Sequence, residues 1–228
     1  LSAKEFPALR GMPGTRHAIE DLIATHGDRY PRGRDFLATL AAFETAIKQA
    51  EAAQAAGDQQ AKERIAATAE HFAALQREAL LANPLLDFDR LLLVKRRADK
   101  LGLPQNWQAN CGISANGYDN EIAVLSPIRP DGRLTTLMKP ANSEFVGDLK
   151  LDFDGDKMLF SMPGKNNLWQ VWEIRADGSG LRQVTPGDEP DIHNYDPCYL
   201  PDGKILFTSS LTFHGVPCVG GGNNVANL

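Results

Sequence analysis

The stretch from Asp191 to Ser209, D-I-H-N-Y-D-P-C-Y-L-P-D-G-K-I-L-F-T-S, constrains this chain most, because its second half is nearly repeated upstream. Pro201-Asp202-Gly203 is turn chemistry: Pro sets the incoming φ and Gly tolerates φ > 0. Lys204 to Thr208 follows as a short apolar strand. Leu151 to Ser161, L-D-F-D-G-D-K-M-L-F-S, repeats the pattern, pairing Lys157 with Lys204 and Phe160 with Phe207. The spacing is about 47 residues, the period of propeller blades. Pro130-Asp131-Gly132 with Leu137 to Pro140 echoes Ala176-Asp177-Gly178 with Gln183 to Pro186 at about 46 residues.

The middle unit is the most complete. Strands are expected at 149–153, 157–161, 169–174 and 181–185, with a turn or loop between each pair, which is the make-up of one blade. Earlier strands are expected at Leu91–Val94, Glu121–Leu125 and Leu134–Met138, and a third unit starts at Tyr195 and contributes two strands. Upstream the period changes to that of a helix. Phe36, Leu37, Leu40, Phe43, Ile47 and Ala50 share one stripe, as do Ile65, Ala69, Phe72, Leu75 and Ala79. Gly57-Asp58 between them is the joint of an antiparallel hairpin, and Asn83-Pro84 ends the second helix. Thr15 is expected to cap a shorter helix that runs to Thr25. The fold class is therefore α+β: an α-helical lead-in over 1–84, then a partial β-propeller of about two to three four-stranded antiparallel blades over 85–228.

A net charge of -5 gives no electrostatic basis for nucleic acid as a partner, and Lys95-Arg96-Arg97 reads as a solvated strand end. No apolar run is long enough for a membrane-spanning helix. Cys111, Cys198 and Cys218 form no C-x-x-C, which removes zinc-ribbon and thioredoxin-like readings; the last two are either a bridge in an exported protein or free thiols. Gly178-Ser179-Gly180 is not a nucleophile elbow, and Gly220-Gly221-Gly222 lacks the Lys of a phosphate loop. The alternating Asp152, Asp154 and Asp156 lack the Glu that closes a calcium loop and read as turn residues. A chain with two to three blades leaves open sheet faces and edges, so the piece is expected to belong to a longer protein, with the rest of its own propeller and partner subunits as its neighbours.

The segments D-G-S-G-L-R-Q-V-T-P-G (177–187) and Y-D-P-C-Y-L-P-D-G-K-I-L-F-T-S (195–209) resemble the TolB-like propeller repeats. N-P-L-L-D-F-D-R-L-L-L-V-K-R (83–96), L-P-Q-N-W-Q (103–108), G-Y-D-N-E-I (117–122) and V-P-C-V-G-G (216–221) look like a group of exported bacterial proteins related to the hydrazine synthase alpha subunit, frequent in planctomycete-type bacteria. That resemblance implies a periplasmic or otherwise exported protein. It also implies c-type haem carried through C-x-x-C-H motifs beyond the propeller; this segment has no such motif and is expected to hold no cofactor.

Candidate ligand-binding residues are Asp191, His193 and Asp196, in a loop leading into a blade, and His214, in a Gly-rich stretch with Cys218. Imidazole and carboxylate could bind a metal or polarise a ligand there, whereas Asx-type turns would spend the two aspartates on loop backbone. His17, His26 and His71 share no helical face at metal-ligand spacing. Trp107, Trp169 and Trp172 read as blade-packing residues. The expected function is a non-catalytic scaffold or interaction platform. A haem redox enzyme with its motifs elsewhere and a glycan- or peptide-binding propeller are the alternatives.

Overall fold

The computed structural model describes residues 6–104, 109–215 and 224–227. The chain divides into two compact units, Leu1–Phe88 and Asp89–Leu228.

The first unit is helical. A short 3-10 turn, Pro7–Gly11, leads into α1 (Met12–His26), followed by α2 (Gly33–Ala55) and α3 (Ala61–Leu81). Thr15 is not a cap: it is buried inside α1, three residues after the helix starts, and its Oγ1 donates to the Gly11 carbonyl at 2.9 Å. α1 packs on both other helices, so the expected hairpin is closed into a three-helix core around Ile19, Phe36, Leu40, Ile65 and Phe72. Gly33 permits the close approach of the start of α2 to α1 and to the preceding turn, because a Cβ there would lie 2.4 Å from Ile23 Cγ1 and 2.7 Å from Tyr30 Cδ1. Tyr30 crosses to α3 and donates its hydroxyl to the Ala79 carbonyl at 2.9 Å. At the hairpin joint Gly57 has φ +94, and Asp58 Oδ1 accepts the Gln60 amide at 2.9 Å. No helix among the described residues is long and apolar enough to cross a membrane.

The second unit is made of antiparallel sheets. The first contains β1 (Leu91–Arg96), β2 (Asn120–Ser126) and β3 (Arg133–Met138). The second contains β4 (Gly147–Leu151), β5 (Lys157–Pro163), β6 (Trp169–Arg175) and β7 (Arg182–Gln183). The third contains β8 (Asn194–Tyr199), β9 (Ile205–Gly215) and β10 (Asn224–Asn227), so this unit has a third strand where the sequence suggested two. In each sheet the strands lie side by side in chain order.

The second sheet is the middle layer, which explains why β5 reads as a continuous apolar run rather than an alternation. Met158, Phe160 and Met162 point one way, into a core with Ile122 and Met138 of the first sheet and with Val146. Leu159 and Ser161 point the other way, and Ser161 Oγ accepts the Asp196 amide of β8 at 2.9 Å.

The repeat is visible in the backbone. Asp148 in β4 and Asp196 in β8 both have positive φ (54 and 50), each within a bulge in its ladder. Asp152 N–H donates to the Lys157 carbonyl, and Leu200 N–H donates to that of Lys204, closing equivalent turns. The β4–β5 turn is one residue longer, so the spacing is about 48 before the turn and about 47 after it. L-D-F-D occurs at 86–89 just before β1 and again at 151–154 just before β5. β1, β2 and β3 thus stand for β5, β6 and β7.

Candidate functional site

The loop from Pro186 carries Asp191 and His193 and leads into β8, whose bulge carries Asp196, at the junction of the second and third sheets. Asp191 is exposed on a bend, and Asp196 points to solvent from its bulge. His193 is half-buried. Its Nδ1 accepts the Trp169 amide of β6 at 3.2 Å, its own amide donates to Ser210 Oγ at 2.9 Å, and its carbonyl accepts the Ser210 amide at 3.0 Å. His193 therefore ties β6, β8 and β9 together. His214 lies in β9 opposite Val225; its side chain, Trp107 and Cys218 lie outside the described residues. Among the described residues no three His, Cys, Asp or Glu side chains are grouped to hold a metal. Cys111 and Cys198 are free thiols.

Burial holds the His193 pKa below its usual value. The unfolded chain takes up a proton at about pH 6.5 while the folded chain resists it to lower pH. Stability from this group is complete above that pH and is lost as acid carries the solution through the window below it. Denaturant midpoints of the wild type should fall between about pH 7 and 5.5, whereas His193→Gln, which keeps an acceptor but cannot titrate, should be flatter there.

Behind His193 lies a buried polar network centred on Gln170. Gln170 Oε1 accepts Thr185 Oγ1 at 2.6 Å and Asn194 Nδ2 at 3.1 Å, and Thr185 Oγ1 accepts the Val171 amide at 3.1 Å. All three side chains are buried. Gly187, at φ +69, passes so close that a Cβ would sit 2.5 Å from Gln183 Nε2.

Arg96 corrects the reading of a solvated basic strand end. Its guanidinium lies 4.3 Å over the Phe145 ring, with Nη1 donating to the Leu101 carbonyl and Nη2 to that of Val146. Strand alternation carries the signal, since Arg96 shares the inward face of β1 with Leu92 and Val94. Phe145 meets Tyr118 and Trp169 edge-on at 5.1 and 5.2 Å, and Tyr195 joins this aromatic cluster with its hydroxyl 3.8 Å from Cys111 Sγ. Burial raises both the Tyr195 and the Cys111 pKa, so both stay protonated at neutral pH.

No protein-family model matches this chain, and no curated protein sequence matches it. Among solved structures, an oligogalacturonate lyase in complex with manganese is similar at 17% identity and a TM-score of 0.39, over 54% of this chain and 32% of that one. The chain thus spans about a third of that protein's length.

A broad polar cleft of about 970 Å³ lies along the β4–β5 and β6–β7 turns, lined by Arg90, Asp152, Lys157, Glu173, Arg175 and Arg182 among others. Glu173, its buried carboxylate, accepts Tyr199 Oη at 2.9 Å and Arg182 Nε at 2.8 Å, and pairs with Lys157 at 3.3 Å. Burial pushes the Glu173 carboxyl up, but these partners overcome it and hold it below its usual value. Asp152 Oδ1 accepts the Asp156 amide at 2.9 Å, which is turn chemistry. Glu173 and Asp152 are both spent on protein contacts.

Proposed function

We propose that Asp89–Asn227 is a run of β-propeller blades serving as a non-catalytic interaction scaffold. The observation that carries the architecture is the strand repeat: three successive antiparallel sheets in chain order, with equivalent bulges at Asp148 and Asp196 and equivalent turns before β5 and β9. In blade terms the first sheet supplies the three outer strands, the second all four and the third the inner three. The scaffold reading is supported by His193, Gln170 and Glu173, which bond neighbouring strands and sheets. The resemblance of residues 83–96, 103–108, 117–122 and 216–221 to hydrazine synthase alpha-like proteins adds the proposal of an exported protein whose haem, where it has any, is held outside this segment.

Hydrogen exchange with and without added zinc or manganese tests this. Blades stack only on their neighbours, so the middle sheet, covered on both faces, should exchange slowest, with β5 and β6 most protected. Metal should leave residues 191–196 unchanged. Equal protection in all three sheets would sink the propeller reading, and metal-induced protection at 191–196 would sink the scaffold reading.

A further inference from the structure

We propose that His193 is an acid-released latch: a second proton on its imidazole frees the loop Pro186–His193 from the start of β6 while the second sheet stays folded. The inference goes beyond the scaffold reading and does not depend on it.

The geometry fixes where that proton must go. The neutral ring accepts the Trp169 amide at Nδ1, 3.2 Å away, so its own proton sits on Nε2. Nδ1 is then the one site left for a second proton. A backbone N–H cannot accept a hydrogen bond, so an imidazolium would set two donors against each other. The main chain of His193 is pinned to β9, its amide donating to Ser210 Oγ at 2.9 Å and its carbonyl accepting the Ser210 amide at 3.0 Å. The contact that gives is therefore the one with β6. Next to it the Ile192 carbonyl takes a long bond of 3.5 Å from Gln170 Nε2, a weak substitute for the imidazole.

The surroundings do little to stabilise a charged ring in place. β6 meets it with Trp169 and Gln170, both neutral; the charged residues of that strand, Glu173 and Arg175, lie further along, and Glu173 is bonded to Tyr199 and Arg182. The β5–β6 connection brings Lys165, a like charge. β9 brings Ser210, and its titratable residue, His214, has its side chain outside the described residues. β4 and β5 also pack on β8; of their charged residues, Lys150 and Lys157 are cations and Asp148 is bonded to Asn110 at 2.7 Å. Burial lowers the proton affinity of the ring, and no neighbouring carboxylate offsets it. Outside, by contrast, the loop carries Asp188, Glu189 and Asp191, and Asp196 follows in β8, all exposed. A ring turned outward is solvated and faces this acidic loop, so acid favours the released arrangement.

Two-dimensional NMR on the whole chain reads the latch directly. The His193 ring signals and the Trp169 amide should titrate together, with one midpoint below about pH 6.5. Across that range the Trp169 amide and the amides of residues 187–193 should lose protection about tenfold or more after correction for intrinsic exchange, whereas Leu159 and Phe160 in β5 keep theirs. His193→Gln keeps an acceptor that cannot titrate and should abolish the loss. Parallel loss at Trp169 and Phe160 would be general acid unfolding and overturns the latch. So does a Trp169 amide that ignores the His193 titration, or a glutamine variant that opens in acid as the wild type does. If the variant fails to fold, the shared midpoint and the confinement of the opening in the wild type still decide. None of these results touches the exchange ranking of the three sheets at neutral pH, so the propeller reading stands or falls separately.

Discussion

Phe160→Ala is expected to destabilise the sheet unit by about 3–5 kcal/mol, the cost of deleting a buried ring and leaving its cavity. The ring has no solvent exposure and sits where β5 presses on the first sheet, among Ile122, Met138, Val146 and Met158. Both sheets hold their backbones by ladder hydrogen bonds, so collapse around the missing ring would break pairing, and the cavity should persist. Tryptophan emission isolates the effect, because all three tryptophans of the chain lie beyond residue 88. Phe207→Ala changes the corresponding residue in the third sheet, where the ring is only half-buried. It should cost markedly less, on the order of 1 kcal/mol. Equal losses at the two positions would mean that the Phe207 ring is as well covered in solution as that of Phe160.

Periodicity made much of this fold legible. The stripes on α2 and α3 located both helices to within about two residues, and the Asp-Gly turns located the hairpins. Three features escaped for separate physical reasons. The expected start at Thr15 is three residues late: Pro13 stands in the first turn of a helix, where a proline loses no hydrogen bond, so α1 begins at Met12. β4 starts at Gly147, two residues early, because the bulge at Asp148 interrupts alternation. The equivalence of β1 with β5 was written in the two L-D-F-D segments, but their spacing of about 65 residues is stretched by the long connection between β1 and β2. The site was less legible still. Asp191, His193 and Asp196 are conspicuous by residue type, yet only His193 has its side chain committed to the sheet junction. Gln170 is not conspicuous at all, because an amide in a strand carries no sequence mark of burial.

Gln170→Leu is the second large effect expected, and it separates hydrogen bonding from packing at that junction. Leucine replaces the side chain's bulk but offers nothing to Thr185 Oγ1 and Asn194 Nδ2, which now donate to Gln170 Oε1 from buried positions. Two donors stripped of their acceptor away from water should cost roughly 2–5 kcal/mol in all. Gln170→Glu keeps the accepting oxygen and adds a charge in a buried setting, which raises its pKa above the unfolded value of about 4.3. The folded variant then holds its proton more tightly than the unfolded one. Its stability relative to wild type should be best in mild acid and fall as pH rises through the raised pKa. If leucine proves harmless, or if glutamate shows no such pH trend, the network is ornamental and the second and third sheets are held by their apolar contacts. If both effects appear, the junction is specified by polar geometry: Gln170, Thr185 and Asn194 fix the register of β8 against β6, which apolar contacts alone would leave free to slide.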